Sequence, residues 1–148
     1  MRNWAVFFLA ALGTFIIDQG IKELFLEGYQ WQSRCLSLEL HLNRGVAFSL
    51  FAFLGSWLKW LQLLLVGGLF LFFLREGWIR RHAFALGLLL GAAAGNLWDR
   101  FAHGAVVDYV YWHCGFDFAV FNYADVMIDL SIAWLLWSGW REHRRSRG

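Results

Sequence analysis

Charge and proline are what this 148-residue chain lacks. Asp, Glu, Lys and Arg together make up 16% of it, against 59% hydrophobic residues, and there is no proline at all. So small a charged fraction excludes an ordinary soluble domain of this length, which needs far more polar surface. Without proline there is no proline-rich linker, and nothing divides the chain into separate domains. Cysteine is almost as scarce. Cys35 and Cys114 form no Cys-x-x-Cys motif, which argues against thiol redox catalysis. Other hydrolase signatures are missing too: there is no His-Glu-x-x-His zinc pair, no Gly-x-Ser-x-Gly and no Gly-x-Gly-Asp. His41, His103 and His113 lack a ligand spacing, so no metal site is expected.

What the chain does have is apolar length. Four runs, about 4–25, 56–74, 83–101 and 123–140, each approach the roughly 20 residues that cross a hydrocarbon core as a helix. The expectation is a mainly α, polytopic membrane protein: one domain over residues 1–148, with four transmembrane helices and outer loops at about 26–55 and 102–122. Arg2, the Arg75–Arg81 turn and the tail with Arg141, Arg144, Arg145 and Arg147 fall on one side, which the positive-inside rule makes cytoplasmic. Both termini are then inside and both longer loops outside. Trp57, Trp60, Trp78, Trp137 and Trp140 lie near span ends, as an interfacial belt requires. The basic tail reads as a topology determinant beside a span, and no nucleic-acid partner is expected. Arg2 and the run after it mimic a secretory signal, but no small-x-small cleavage site closes the run, which reads as a retained first helix.

Polar residues within this apolar background are costly and therefore informative. Asp18 and Lys22 stand at i, i+4 on one helix face, where an ion pair with Lys22 snorkelling to the interface is expected. Both residues can also support a neighbouring site. Leu36, Leu38, Leu40 and Leu42 alternate with polar residues, a period of two that predicts a strand with one apolar face. Arg44-Gly45 supplies a turn, and residues 46–51 continue as a second extended or interfacial piece. The β-branched and aromatic stretch 106–112 is a candidate partner strand, giving a small outer sheet on the membrane surface. Gly87, Gly91 and Gly95 recur at four-residue spacing, which lets helix backbones approach closely in lipid. Asn96, Asp99 and Arg100 share a face at the end of that helix and must satisfy one another or a partner helix. Asp108 and Asp125 sit at predicted membrane edges, and Asp129 lies one turn beyond Asp125. Two carboxylates close enough to share a proton activate water. Buried polar pairs in a bundle, or an ion pathway, are the competing readings of such acids.

Five blocks then occur in order: Asp18-Gln-x-x-Lys22, Asn43-x-Gly45-x-Ala47-Phe48, Gly95-Asn96-x-x-Asp99-Arg100, Val106-Val-Asp108 and Phe121-Asn122-x-Ala124-Asp125. Together they span nearly the whole chain and resemble the sequence blocks of lipoprotein signal peptidase, the signal peptidase II family. The resemblance implies an aspartic endopeptidase of the bacterial cytoplasmic membrane that needs no cofactor. It would cut a prolipoprotein on the N-terminal side of a diacylglyceryl-modified cysteine, at the extracytoplasmic face. Carried over residue by residue, it implies a catalytic pair at Asp108 and Asp125. It places Asn43, Gly45, Arg100 and Asn122 at the substrate pocket, and Asp18, Lys22, Asn96, Asp99 and Ala124 in structural support. Membrane lipid is the other expected partner, and a monomer the expected state. The chain departs from the family pattern at Asp129, where a small or apolar residue is usual. It departs also at Ala119, near a common proline, and at Ile21, where Ser or Thr is common.

Two rival readings have specific discriminants. A thiol oxidoreductase would use Cys35 and Cys114, but without a Cys-x-x-Cys motif these are better candidates for a structural bridge between outer loops, if they reach each other. A small transporter with Asp125 as its ion site fits four spans. It fits poorly with a long outer hairpin and an edge-placed second acid, because transport sites lie near the midplane.

Overall fold

The computed structural model describes residues 1–45 and 52–145. Four long helices carry the fold: α1 (Arg2–Leu26), α2 (Trp57–Arg75), α4 (Ala83–Ala102) and α5 (Tyr123–Arg145). A single-turn helix α3 (Trp78–Arg81) fills the tight basic connection between α2 and α4. Gly77, at φ +67°, takes the left-handed conformation that starts this turn. α1 and α2 are long and apolar enough to cross a membrane. α4 carries Asn96, Asp99 and Arg100, and α5 carries Asp125 and Asp129, so these two are more polar along their length.

α4 is the central element. It packs most extensively on α1, then on α5, and less on α2. The glycine spacing explains the first of these contacts. A Cβ on Gly87 would lie 2.6 Å from the Phe7 carbonyl oxygen, and one on Gly91 would collide with the backbone of Ala11. At Gly95 it would strike the carboxylate of Asp18. Only hydrogen at these positions permits the approach. Beside this seam Phe7, Phe73, Ile79, Leu86, Leu89 and Leu90 form the apolar core.

At one end of the bundle lies a three-stranded antiparallel sheet in the order β1 (Trp31–Gln32), β2 (Leu36–Asn43), β3 (Val106–Trp112). The alternating leucines do form a strand, and residues 106–112 pair with it, from Leu36 opposite Trp112 to Asn43 opposite Val106, with a register irregularity between Leu38 and His41. Leu40 and Leu42 point away from the protein and are exposed, while Ser37 on the other face is buried. The expected second piece at 46–51, including Ala47 and Phe48 of the second sequence block, lies outside the described residues. Tyr109 stacks on Phe25 with ring centroids 4.2 Å apart and ties β3 to the end of α1. Cys35 and Cys114 are joined in a disulfide that links the chain just before β2 to the chain just after β3.

Candidate active site

Where the sheet meets α4 and α5, a cavity of about 520 Å³ opens between α2 and α5. Asn43, Gln62, Asn96, Arg100, Asp108, Asp125 and Asp129 provide its polar lining. Leu58, Leu61 and Leu65 of α2, with Ile128 of α5, form an apolar wall. Asp108 comes from β3 and Asp125 from the first turn of α5, so sheet and helix each contribute one carboxylate to the same space.

One side chain bridges them. Asn122 stands immediately before α5 and caps it: its Oδ1 accepts from the Asp125 backbone N–H at 3.0 Å, and the Asp125 Oδ2 accepts from the Asn122 N–H at 3.1 Å. This reciprocal pair is a capping box with Asn and Asp in place of the usual Ser and Glu. The Asn122 Nδ2 donates to Asp108 at 2.7 Å and to the Asn96 Oδ1 at 3.1 Å. Asn43 donates to the other Asp108 oxygen at 3.0 Å, and its own Oδ1 accepts from Gly45 N–H. Asn96 donates to the remaining Asp125 oxygen at 2.9 Å. Every oxygen of both carboxylates therefore accepts a directed hydrogen bond.

Behind this layer is a buried ionic cluster. Lys22 does not snorkel. It is 1% exposed, and its Nζ lies 2.7 Å from Asp18, 2.7 Å from Asp99 and 2.8 Å from the Asn96 Oδ1. The ion pair with Asp18 forms as the i, i+4 spacing predicts, but the ammonium is retained because two more acceptors converge on it from α4. Asp18 also accepts from the Ala124 N–H, fixing the start of α5, and Asp99 from the Val107 N–H, fixing β3 one residue from Asp108. Ala124 itself is fully buried against this contact. Asn96 thus couples the ionic cluster to the carboxylate pair. Gln19, which links Asp18 and Asp99 at 3.1 and 3.0 Å, belongs to the cluster as well.

Burial raises Asp108, which lies on the strand, to about 6, and the charge of Asp125 acts in the same direction. Hydrogen bonds from Asn43 and Asn122, and the charge of Lys22, pull the other way but do not offset the lost hydration. Arg100 donates to Gln62 of α2 at 2.7 Å and to the Gly45 carbonyl oxygen, closing the cavity's edge between α2, α4 and the loop after β2. Gln62 was not singled out from sequence. Its signal was available, since it is a polar residue in the middle of an apolar run. Asp129 is exposed at the cavity, on the same helix face as Asp125. His41 pairs with Glu39 and His113 with Ser37, both at 3.0 Å, and no cluster suited to a metal ion occurs among the described residues.

This architecture, four long helices under a small sheet, is shared with solved bacterial membrane enzymes. One, 23% identical, superposes with a TM-score of 0.80 over 94% of this chain and 90% of its own. Another, 24% identical, gives 0.76 over 90% and 92%. The particular family is shown by sequence: the chain belongs to the signal peptidase II family, whose model, described as Signal peptidase (SPase) II, matches residues 10–141. It is 61% identical over 136 residues to the lipoprotein signal peptidase of Sulfurovum sp. (strain NBC37-1), covering 92% of this chain and 93% of that one. The Sulfurimonas denitrificans protein of the same name is 54% identical, over 92% and 88% of the two chains. That of Helicobacter pylori (strain P12) is 51% identical, over 88% and 82%. The chain is accordingly an enzyme of this family, an aspartic-type signal peptidase.

Proposed function

We propose that the protein removes signal peptides from bacterial prolipoproteins, cutting on the N-terminal side of a diacylglyceryl-modified cysteine, with Asp108 and Asp125 as its water-activating pair. The observation that carries this reading is the placement of the two carboxylates on one cavity, bridged by Asn122 and facing an apolar wall. Water attacks the scissile carbonyl from between the acids. The ionised member of the pair takes the water's proton, and the protonated member hydrogen-bonds the carbonyl oxygen and later protonates the leaving amine. The shared proton belongs to the pair rather than to either residue. Asn43, Gly45, Arg100 and Asn122 hold the peptide and the carboxylates in register. Asp18, Lys22, Asn96, Asp99 and Ala124 fix the backbone behind them. The diacylglyceryl chains lie along the buried Leu58 and along Leu61 and Leu65, whose exposed side chains also border surrounding lipid.

On this reading the four long helices cross the bacterial inner membrane, with both termini cytoplasmic and the sheet at the extracytoplasmic face. The exposed Leu40 and Leu42 then rest on the lipid surface. A monomer holds every group the reaction requires, because all the residues named lie in one chain. The test is cleavage of a purified diacylglyceryl-modified prolipoprotein in detergent. Wild type cleaves it, and Asp108→Asn and Asp125→Asn each lose turnover while keeping the wild-type fold. Asp18→Asn chiefly lowers stability, because it weakens a buried ionic cluster. Equal unfolding by all three variants would make the pair structural instead.

A further inference from the structure

A second cavity, of about 390 Å³, adjoins the first and shares Leu58 and Arg100 with it. It opens where α2 begins and α4 ends, and its ionisable lining is entirely basic: Arg44, Lys59, Arg100 and His103, with Ser56 and Gly55 completing the wall. Four features of it point to one ligand chemistry. The basic groups come from three parts of the chain, the loop after β2, the first turn of α2 and the end of α4, so they converge through folding rather than through local sequence. The 19-residue α2 starts here with no side-chain cap from Ser56 and no acidic residue in its first turn, so the positive end of its helix dipole is not offset by a local carboxylate, while the Leu58 N–H donates to the Gly55 carbonyl oxygen. Arg100 is 7% exposed, and its Nε is buried without a hydrogen-bond partner among the described residues. Among the described residues Lys59 lies over the ring of Phe101, 5.2 Å from its centroid, a contact that does not use its ammonium protons as hydrogen-bond donors. Cations, a helix N-terminus and an orphaned guanidinium N–H together suit a tetrahedral oxyanion.

The surroundings choose among oxyanions. Phe53, Trp57 and Phe101, exposed by 83%, 75% and 41%, stand within two residues along the chain of the lining residues Gly55, Leu58 and Arg100, and Phe101 lies under Lys59. A water-soluble phosphate gains nothing from such neighbours, whereas acyl chains do. We propose that this cavity is a binding site for the phosphodiester headgroup of an anionic phospholipid, seated beside the substrate cavity with its acyl chains against Phe53, Trp57 and Phe101. The placement of this lipid in the outer leaflet rests on the membrane orientation given above. The binding itself does not depend on proteolysis.

Native mass spectrometry of the purified full chain released from detergent tests this, with dioleoylphosphatidylglycerol as the probe. The wild type and Asp108→Asn retain the lipid equally. The Arg44→Gln/Lys59→Gln double variant weakens it at least ten-fold, and Arg44→Lys/Lys59→Arg, which keeps the charges, restores it. Dioleoylglycerol, which lacks the phosphate, binds at least ten-fold more weakly to the wild type, and inorganic phosphate does not displace the phospholipid at equal concentration. Lys59→Gln alone gives a partial loss and serves where the double variant does not fold. Undiminished binding by the folded glutamine variants overturns the proposal, as does equal retention of dioleoylglycerol. Displacement by inorganic phosphate overturns it in favour of a free-anion site. Loss of proteolysis with lipid retention intact bears on the peptidase reading alone.

Discussion

Asn122 performs three tasks with one side chain. It caps α5, it locks Asp125 by a reciprocal backbone bond, and it donates to Asp108. A residue that makes all its bonds in this way has no rotamer freedom left, and it holds the proposed catalytic carboxylates in fixed positions. Asp108 carries the electrostatic cost of the arrangement. Its folded value of about 6 lies above the ordinary 3.8, so the folded state binds its proton more tightly than the unfolded chain does. The sign follows: this group favours folding below pH 4 and loses that contribution as pH rises through 6. The full effect is about 3 kcal/mol. Thermal unfolding in detergent therefore shows wild-type stability falling between pH 4 and pH 7 by an amount of this order, after the same slope in Asp108→Asn is subtracted. Equal slopes in the two proteins would contradict the assignment. Cleavage changes with pH around 6, where Asp108 exchanges its proton. Asn43→Ala moves that change to higher pH, because it removes a hydrogen bond that favours the ionised form.

The pairing of α1 with α4 decides where Asp18 and Lys22 sit relative to Asn96 and Asp99. It depends on Gly87, Gly91 and Gly95 having no side chain. Gly91→Ala drives a methyl group into the Ala11 backbone, which cannot move aside as a flexible side chain would. Its cost is on the order of 3 kcal/mol, and activity falls with stability because the ionic cluster spans the same seam. Gly67→Ala on α2, with nothing within 4 Å of the new methyl, is the control and leaves unfolding unchanged or slightly later. Comparable losses in the two variants would mean that helix packing does not set this seam. The four-residue spacing of these glycines was visible in the sequence, as was the period-two pattern of β2. The destination of Lys22 was not. Its spacing to Asp18 predicts an ion pair on either account, but only α4, arriving from more than 70 residues away, supplies the acceptors that keep it buried.

The molecule as a whole places the proposed catalytic pair at one end of the helices, under a sheet held by β2–β3 pairing and by the Cys35–Cys114 disulfide. The sheet positions Asp108 through the Val107 N–H bond to Asp99 and through the pairing with β2, neither of which involves sulfur. Replacing both cysteines with Ser accordingly leaves most prolipoprotein cleavage in detergent intact, although the folded protein unfolds at a lower temperature. Abolished cleavage in well-folded protein would show that the disulfide, rather than the strand pairing, sets the site.

Run length, the two-residue and four-residue periods and the ordered polar blocks sufficed to predict the long helices, the strand pair and the family, because each depends on spacing along the chain. The three-dimensional fold was needed for partnership: Asn122 between Asp108 and Asp125, Asn96 between Lys22 and Asp125, Gln62 against Arg100, and a basic cavity assembled from three separate segments. The physical reason is that periodicity specifies which face a residue occupies. A hydrogen bond or ion pair requires a particular atom on another element within about 3 Å, and only packing brings it there.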